Sequence, residues 1–334
     1  MRGFNLPGLA MNIWPALAAA LALCAGATTA VAQSAYPTAP IRILVSYPPG
    51  GFPDTVTRIF GDQLRKSLNQ PILIENRPSA GSIIAGQAVA RAAPDGYTLL
   101  AGDSQMWGIA PAMFKSLPYD AIKDFEPVSV FATTSNYLVV SATVPVSGGL
   151  PELLAFLKAN PGKYNYGTAG IGSLHHLTME TLIAQTGLQV SHIPYKGNSQ
   201  ILPALVAGEV AIGVQSLTAL PNFVKQGKIR MVAIAADKRS KAYPDMPTFD
   251  EFGIKGMGLI GTMALLAPKG TPAPVIERLW QAVKAASQDA ELIKRIEGVG
   301  ADPHSLSPAE STEWIRKEAA ALMAAAKLAK IEPE

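Results

Sequence analysis

Cysteine is almost absent from this chain. Of 334 residues only Cys24 is one, and it lies in an apolar N-terminal stretch. Beyond that stretch there is no thiol, which excludes disulfides, a thiolate nucleophile and a Cys-ligated metal. Histidine is scarce too: His175, His176, His192 and His304 are the whole set. Adjacent His175 and His176 project from different faces of a helix, and His192 alternates with apolar Val190 and Ile193 as a sheet residue does. No His-x-x-x-His pair or carboxylate cluster supplements them, so neither a metal centre nor a cofactor is expected. Charge is low, at 16% of residues with a net +3. The Lys and Arg residues are scattered, with no basic stripe interleaved with aromatics, which argues against nucleic acid as partner. After the N-terminal stretch no charge-free run reaches membrane-spanning length. No repeat period and no low-complexity segment stands out beyond that stretch and an Ala-rich C-terminal helix pattern.

What is present begins with an export signal. Arg2 and Arg42 are the only charges before Asp54, residues 9–25 are mostly Ala, Leu, Ile and Trp, and Ala30-Val31-Ala32 offers a small-x-small cleavage site. This pattern is that of a secretory signal peptide over residues 1–32. It predicts cleavage near Ala32 and a periplasmic, soluble protein starting near Gln33. Leu21-Ala22-Leu23-Cys24 is one residue away from a lipoprotein box, because Leu23 stands where Gly, Ala or Ser is wanted.

The next segment, Ser46-Tyr47-Pro48-Pro49-Gly50-Gly51-Phe52-Pro53-Asp54, is the most informative. It follows a β-branched run at 41–46 and precedes an amphipathic helix pattern at 55–68. Two glycines let backbone approach a ligand and adopt positive φ. A helix N-terminus adds unpaired N–H groups and the positive end of a dipole. A strand, such a turn and a helix can hold a small carboxylate without a catalytic side chain. Many first turns of α/β proteins are Gly-rich for structural reasons alone, so the two readings stand side by side.

Strand and helix patterns then alternate. Strands are predicted at 72–76, 98–101, 128–133, 137–142, 164–167, 190–193, 210–214, 230–235 and 259–267. Helices are predicted at 83–92 (with Ser82 as candidate cap), 150–159, 174–186, 201–207, 217–226, 274–287, 290–297 and 308–330. The alternation implies an α/β protein with two mostly parallel sheets and helices on both faces. Thr133-Thr134-Ser135-Asn136 and Gly256-Met257-Gly258 look like crossings between domains. They set one lobe at 33–134 plus 259–334 and an inserted lobe at 135–258. Two such lobes can close on a ligand by hinge motion.

Several blocks carry a family resemblance: Pro48-Pro49-Gly50-Gly51-x-x-Asp54, Glu75-Asn76-Arg77-Pro78-x-Ala80-Gly81, Ala93-Pro94-Asp95-Gly96-Tyr97-Thr98-Leu99-Leu100, Asn165-Tyr166-Gly167-Thr168-Ala169-Gly170-x-Gly172-Ser173-x-x-His176-Leu177, Pro194-Tyr195-Lys196-Gly197 and Leu266-Ala267-Pro268-x-Gly270-Thr271-Pro272. They resemble, in order, the solute receptors of tripartite tricarboxylate transporters, also called the Bug family. The resemblance implies a two-lobed type II periplasmic-binding-protein fold that clamps a small carboxylated solute and passes it to membrane transporter subunits. A sensor kinase as the recipient is an alternative the sequence does not separate. A monomer is expected, because capture needs two lobes free to move.

Carried over position by position, the first turn supplies Tyr47, Gly50, Gly51, Phe52, Pro53 and Asp54, with Asp54 at a helix cap and mainly structural. Ser104 and Gln105 end a strand at the same sheet edge. The second lobe offers Thr168, Ala169, Gly170 and Ser173, with Ser173 either an N-cap or a ligand contact. His176, in the first turn of its helix, is expected neutral and orienting. Gln215 and Met263 mark departures. The family often shows an acid after the strand that here ends at Val214, and a Trp or Phe near Met263. The missing acid argues against an amino-acid ligand, and the thinner wall suits a larger or aromatic carboxylate packed on Met263 and Phe52, with a dicarboxylic solute the other expectation. A rival reading takes Gly102-Asp103-Ser104 with Asp302-Pro303-His304 as a Gly-Asp-Ser hydrolase. Those enzymes use the first strand and space Asp from His by two residues, and neither holds here.

Overall fold

The computed structural model describes Gly3 and residues 36–333 apart from 197, 218–219 and 241. The expected signal peptide, its expected cleavage near Ala32 and Cys24 lie outside the described residues. Pro37–Glu334 form one compact unit.

Two sheets organise it. The first begins with β1 (Ile41–Val45), whose pattern Ile-Arg-Ile-Leu-Val is buried at every position but Arg42. Helix α1 (Phe52–Leu68) leads to β2 (Ile72–Asn76), and α2 (Ile83–Ala90) to β3 (Thr98–Asp103). A π-helical turn at Gln105–Ile109 and α3 (Ala110–Met113) lead to β4 (Phe125–Thr134). The chain then builds the second sheet: β5 (Asn136–Ser141), α4 (Leu150–Ala159), β6 (Asn165–Thr168), α5 (Leu174–Thr186), β7 (Ser191–Pro194), α6 (Asn198–Ala207), β8 (Ile212–Ser216), α7 (Leu220–Lys225) and β9 (Ile229–Ala235). It returns through β10 (Gly261–Pro268), α8 (Ala273–Ala286), α9 (Ala290–Gly298), β11 (Asp302–Pro303) and α10 (Pro308–Leu328).

The six-stranded sheet has the order β11-β4-β10-β3-β1-β2, and the five-stranded one β7-β6-β8-β5-β9. The sequence expectation of mostly parallel sheets needs refining, since both are mixed. Strands joined by a helical crossover pair in parallel, as β1 does with β2 and β3, and β6 with β7 and β8. Strands that carry the chain from one sheet to the other run antiparallel: β10 against β3 and β4, and β5 against β8 and β9. Such strands enter from the opposite end, so no crossover helix can align them. Only Ser135 separates β4 from β5.

Helix ends moved where local chemistry overrides pattern. Helix α1 starts at Phe52 rather than 55, because Pro53 fits the first turn, where its missing N–H is not needed. Ser82 precedes α2 without a side-chain cap, at φ 57°. Instead Ser79 Oγ accepts the Ile84 N–H at 2.9 Å.

Each sheet has its own core. Leu44, Leu100, Trp107, Val130, Leu266 and Ile315 cluster on the first. Leu138, Tyr166, Ile212, Val214 and Ala233 cluster on one face of the second, and Tyr137, Val139, Ile201 and Leu205 on the other. Full burial of each such aliphatic side chain is worth about 1.5–3 kcal/mol. A further cluster of Ile109, Leu177, Leu259, Leu322 and Ala325 joins α10 to α5 and the π-helical turn.

Candidate functional site

A cavity of about 310 Å³ opens where β1 and β3 end, where β10 begins and beside the turn before α5. Tyr47, Phe52 and Pro53 line it from the first turn, Asp103, Ser104 and Gln105 from the end of β3, and Thr262 and Met263 from β10. Ala169, Ile171, Gly172, Ser173, Leu174 and His175 line it from the second sheet's glycine turn, and Ile109, Met113, Thr134 and Gly261 complete it.

The first turn is shaped by Asp54. Gly50 adopts φ 80°, and Gly51 is the N-cap of α1 with no side chain capping it. Asp54 is therefore not the cap the sequence suggests; it stands three residues into the helix frame. Its buried carboxylate accepts the Gly50 N–H at 2.8 Å, Asn76 Nδ2 at 2.7 Å and Arg58 Nε at 3.0 Å. Burial pushes this carboxyl up, but the donors from Arg58, Gly50 and Asn76 outweigh it and hold it below its ordinary value.

The second turn repeats the device with a different group. Ser173 caps α5, its Oγ accepting the His176 N–H at 3.2 Å. His176 Nδ1 in turn accepts the Gly172 N–H at 3.2 Å. The His176 ring stacks on His192 at 4.3 Å, and His192 on Tyr166 at 4.8 Å. Thr168 Oγ1 meets His192 Nε2 at 2.6 Å, and the Tyr166 hydroxyl donates to Glu180. Burial lowers the affinity of His176 for a proton, and pushes His192 down to about 4. The sequence expectation of a neutral His176 rested on the helix terminus; the larger cause is burial.

Two carboxyls sit at the β3–β10 end of the cavity. Asp103 receives the Tyr47 hydroxyl proton on Oδ2, and that hydroxyl also lies 2.9 Å from Gln105 Oε1. Burial pushes Asp103 up to about 6, against the pull of the Tyr47 hydroxyl and nearby backbone N–H groups of Met106 and Gln105. Glu318 reaches in from α10. It accepts Trp107 Nε1 at 2.8 Å, Ser104 Oγ at 3.1 Å and Thr262 Oγ1 at 2.7 Å. Burial raises it to about 7 despite these donors. Among the lining residues there is no Lys or Arg.

Of the residues singled out from sequence, the structure brings Tyr47, Phe52, Pro53, Ser104, Gln105, Ala169, Ser173 and Met263 to one cavity. Gly50, Gly51, Asp54, Thr168, Gly170 and His176 are not among the lining residues and belong to or flank the two turns. Gln215 is buried and donates to its neighbour's Val214 carbonyl at 2.7 Å, away from the lining. Sequence reasoning did not place Asp103, His175, Met113 or Thr262 among the ligand-binding residues, although it weighed Asp103 for hydrolysis and His175 for a metal. For Asp103 the signal was present, one residue before Ser104 at the same strand end; for Met113 none was. Ser104 Oγ also takes the Thr262 N–H at 2.7 Å, while His304 meets Thr133 Oγ1 at 2.8 Å. The hydrolase constellation is thus not assembled around Ser104. Among the described residues no group of three or more His, Cys, Asp or Glu could hold a metal ion.

Comparison with known proteins decides the family. The model of the tripartite tricarboxylate transporter family receptor matches residues 56–326. The chain belongs to this receptor family. A UPF0065 protein of Bordetella pertussis is 36% identical over 300 residues, 90% of this chain and 92% of that protein. Two solved structures share the fold. R. palustris Rpa4515 with adipate is 29% identical, with TM-score 0.77 over 90% of this chain and 100% of that one. MatC from Rhodopseudomonas palustris with bound malate is 30% identical, with TM-score 0.72 over 87% of this chain and 100% of that one. The receptor's α/β two-sheet architecture is that of these solute-binding proteins. Among the described residues no helix is long and apolar enough to cross a membrane.

Proposed function

We propose that this receptor captures a small carboxylate in the cavity between its two turns and delivers it to the membrane subunits of a tripartite transporter. The observation that carries the reading is the pair of braced helix N-termini. Helices α1 and α5 both begin at the cavity wall, each with a glycine turn pinned by a side chain from its own first turn. Backbone N–H groups and helix dipoles favour an anion there, with no cationic side chain required. The likeness to proteins solved with adipate and malate supports the same class of ligand. The two sheets serve as lobes, 33–134 plus 259–334 and 135–258, that hinge at Ser135 and at the return before β10. The protein acts as a monomer in the periplasm after losing residues 1–32, and it binds without catalysing a reaction.

A thermal-shift screen against carboxylates, amino acids, aromatic acids and sugars tests this. A ligand that binds only the folded protein adds about 2.7 kcal/mol at a hundredfold excess over Kd. A shift confined to carboxylates is expected; shifts from neutral sugars with none from acids overturn the reading. Uptake of the labelled ligand by cells with and without the receptor separates delivery from signalling to a sensor kinase.

A further inference from the structure

Asp103 is the exception among the acids around this cavity. Asp54 and Glu318 each gather three or more donors on their carboxylates. Asp103 has the Tyr47 hydroxyl on Oδ2; the Gln105 and Met106 N–H groups act on its carboxyl from nearby without the geometry of a hydrogen bond, and Oδ1 is shielded from solvent with no hydrogen-bond partner among the described residues. Leaving a buried carboxylate oxygen unmatched is costly, and proteins seldom do so without a use for it. Asp103 is also the one acidic residue lining the cavity, where no Lys or Arg offsets it. The other lining residue with an orphaned atom is His175, whose Nδ1 is equally buried and unmatched. Burial keeps that ring neutral, pushed down to about 4, so it adds no positive charge.

We infer that Asp103 is a specificity-determining acceptor, selecting carboxylates that also carry a hydrogen-bond donor, a hydroxyl or an ammonium, over plain acids and over diacids of equal length. This rests on the reading of the cavity as a carboxylate site. A donor on the ligand completes Oδ1. A second carboxylate meets Asp103 with no cation to separate the charges, and a plain alkyl or aryl end leaves Oδ1 dry and unmatched. The inference also moves the acid that sequence reading sought after β8 to the end of β3, on the facing sheet. It reopens amino acids as ligands.

Isothermal titration with matched sets tests it. Each set holds one short-chain or aromatic acid, its hydroxyl derivative, its ammonium derivative and the corresponding diacid. In the set that binds tightest, a donor-bearing member is expected to exceed both the plain acid and the diacid by about tenfold or more. Asp103→Asn, checked for native fold by circular dichroism, is expected to shrink the ammonium preference and to tighten the diacid. The hydroxyl and ammonium arms identify the donor. A diacid or plain acid binding as tightly as the donor-bearing members of wild-type protein overturns the inference while leaving the carboxylate reading intact. Silence from every acid sinks both. The wild-type ranking decides the matter even if the variant fails to fold.

Discussion

The turns that open α1 and α5 are built to the same plan with different parts. In each, a side chain at the third helical position reaches back to take the N–H of the glycine just before the N-cap. In the first turn this is ionised Asp54 on Gly50; in the second it is neutral His176 on Gly172. The first N-cap, Gly51, has no side chain to close the helix end, whereas Ser173 caps the second. The first glycine sits in open space, while a Cβ on the second would run into the Met113 thioether. An identical backbone shape can thus rest on a charged brace or on a stacked, uncharged one. The two should fail at different pH.

The largest expected difference comes from removing the charged brace. Asp54→Ala strips a common acceptor from Gly50, Asn76 and Arg58 and should cost about 3 kcal/mol in urea denaturation at neutral pH. Its sign with pH follows from the depressed carboxyl. The stabilisation is complete above the unfolded value of 3.8 and is lost as pH falls through the lower folded one, so the gap to wild type should narrow there. Equal stability of variant and wild type at pH 7 would show that the brace is idle.

Next comes the packed glycine. A Cβ on Gly172 would lie 2.4 Å from Met113 Sδ, at φ 74°. Gly172→Ala should therefore cost about 2 kcal/mol, against about 1 kcal/mol for Gly50→Ala, where only the positive φ of 80° objects. Thermal melts that rank them the other way would break the contrast.

His176→Gln sharpens it further. Burial depresses His176 below the ordinary 6.5, so the folded ring binds fewer protons than the unfolded one. Its stabilisation is present above 6.5 and is lost as pH falls through the folded value. Wild type should lose stability relative to the Gln variant as pH falls below the unfolded value of 6.5, before the Asp54 brace weakens. Parallel stability curves in that range would refute this. The smallest effect is that of Ser173→Ala, about 1 kcal/mol or less from a lost N-cap, with no counterpart at Gly51.

Much of this was legible in the chain. The strand, Gly-Gly turn and amphipathic helix around residues 41–68 announced themselves by period and by glycine placement. Phe52, Gln105 and Met263, which line the cavity, were singled out through the family resemblance and not by local pattern. The misses have physical causes. Asp54 looked like a cap because the amphipathic pattern was read from residue 55, whereas the helix starts at Phe52, with Pro53 in its first turn. Glu318 lies more than two hundred residues from its Ser104 and Trp107 partners in sequence, and only packing of α10 brings them together. Asp103 was weighed as part of a catalytic triplet, and its orphaned oxygen is visible only once burial is known. The antiparallel pairing of β10 follows from the chain's return path, which local pattern does not encode.

That return path also sets an order of assembly. Strand β10 lies between β4 and β3, although every other long strand of its sheet is finished by Thr134. A nascent chain shorter than residue 261 holds β3-β1-β2 as a partial sheet and β4 as a strand open on both edges, with nothing to join them. Pairing across so long a span is slow, because the loop must close before the ladder rewards it. The polypeptide is thereby kept unfinished until its last quarter has been made, so a chain cut short of that point leaves the middle of its first sheet open.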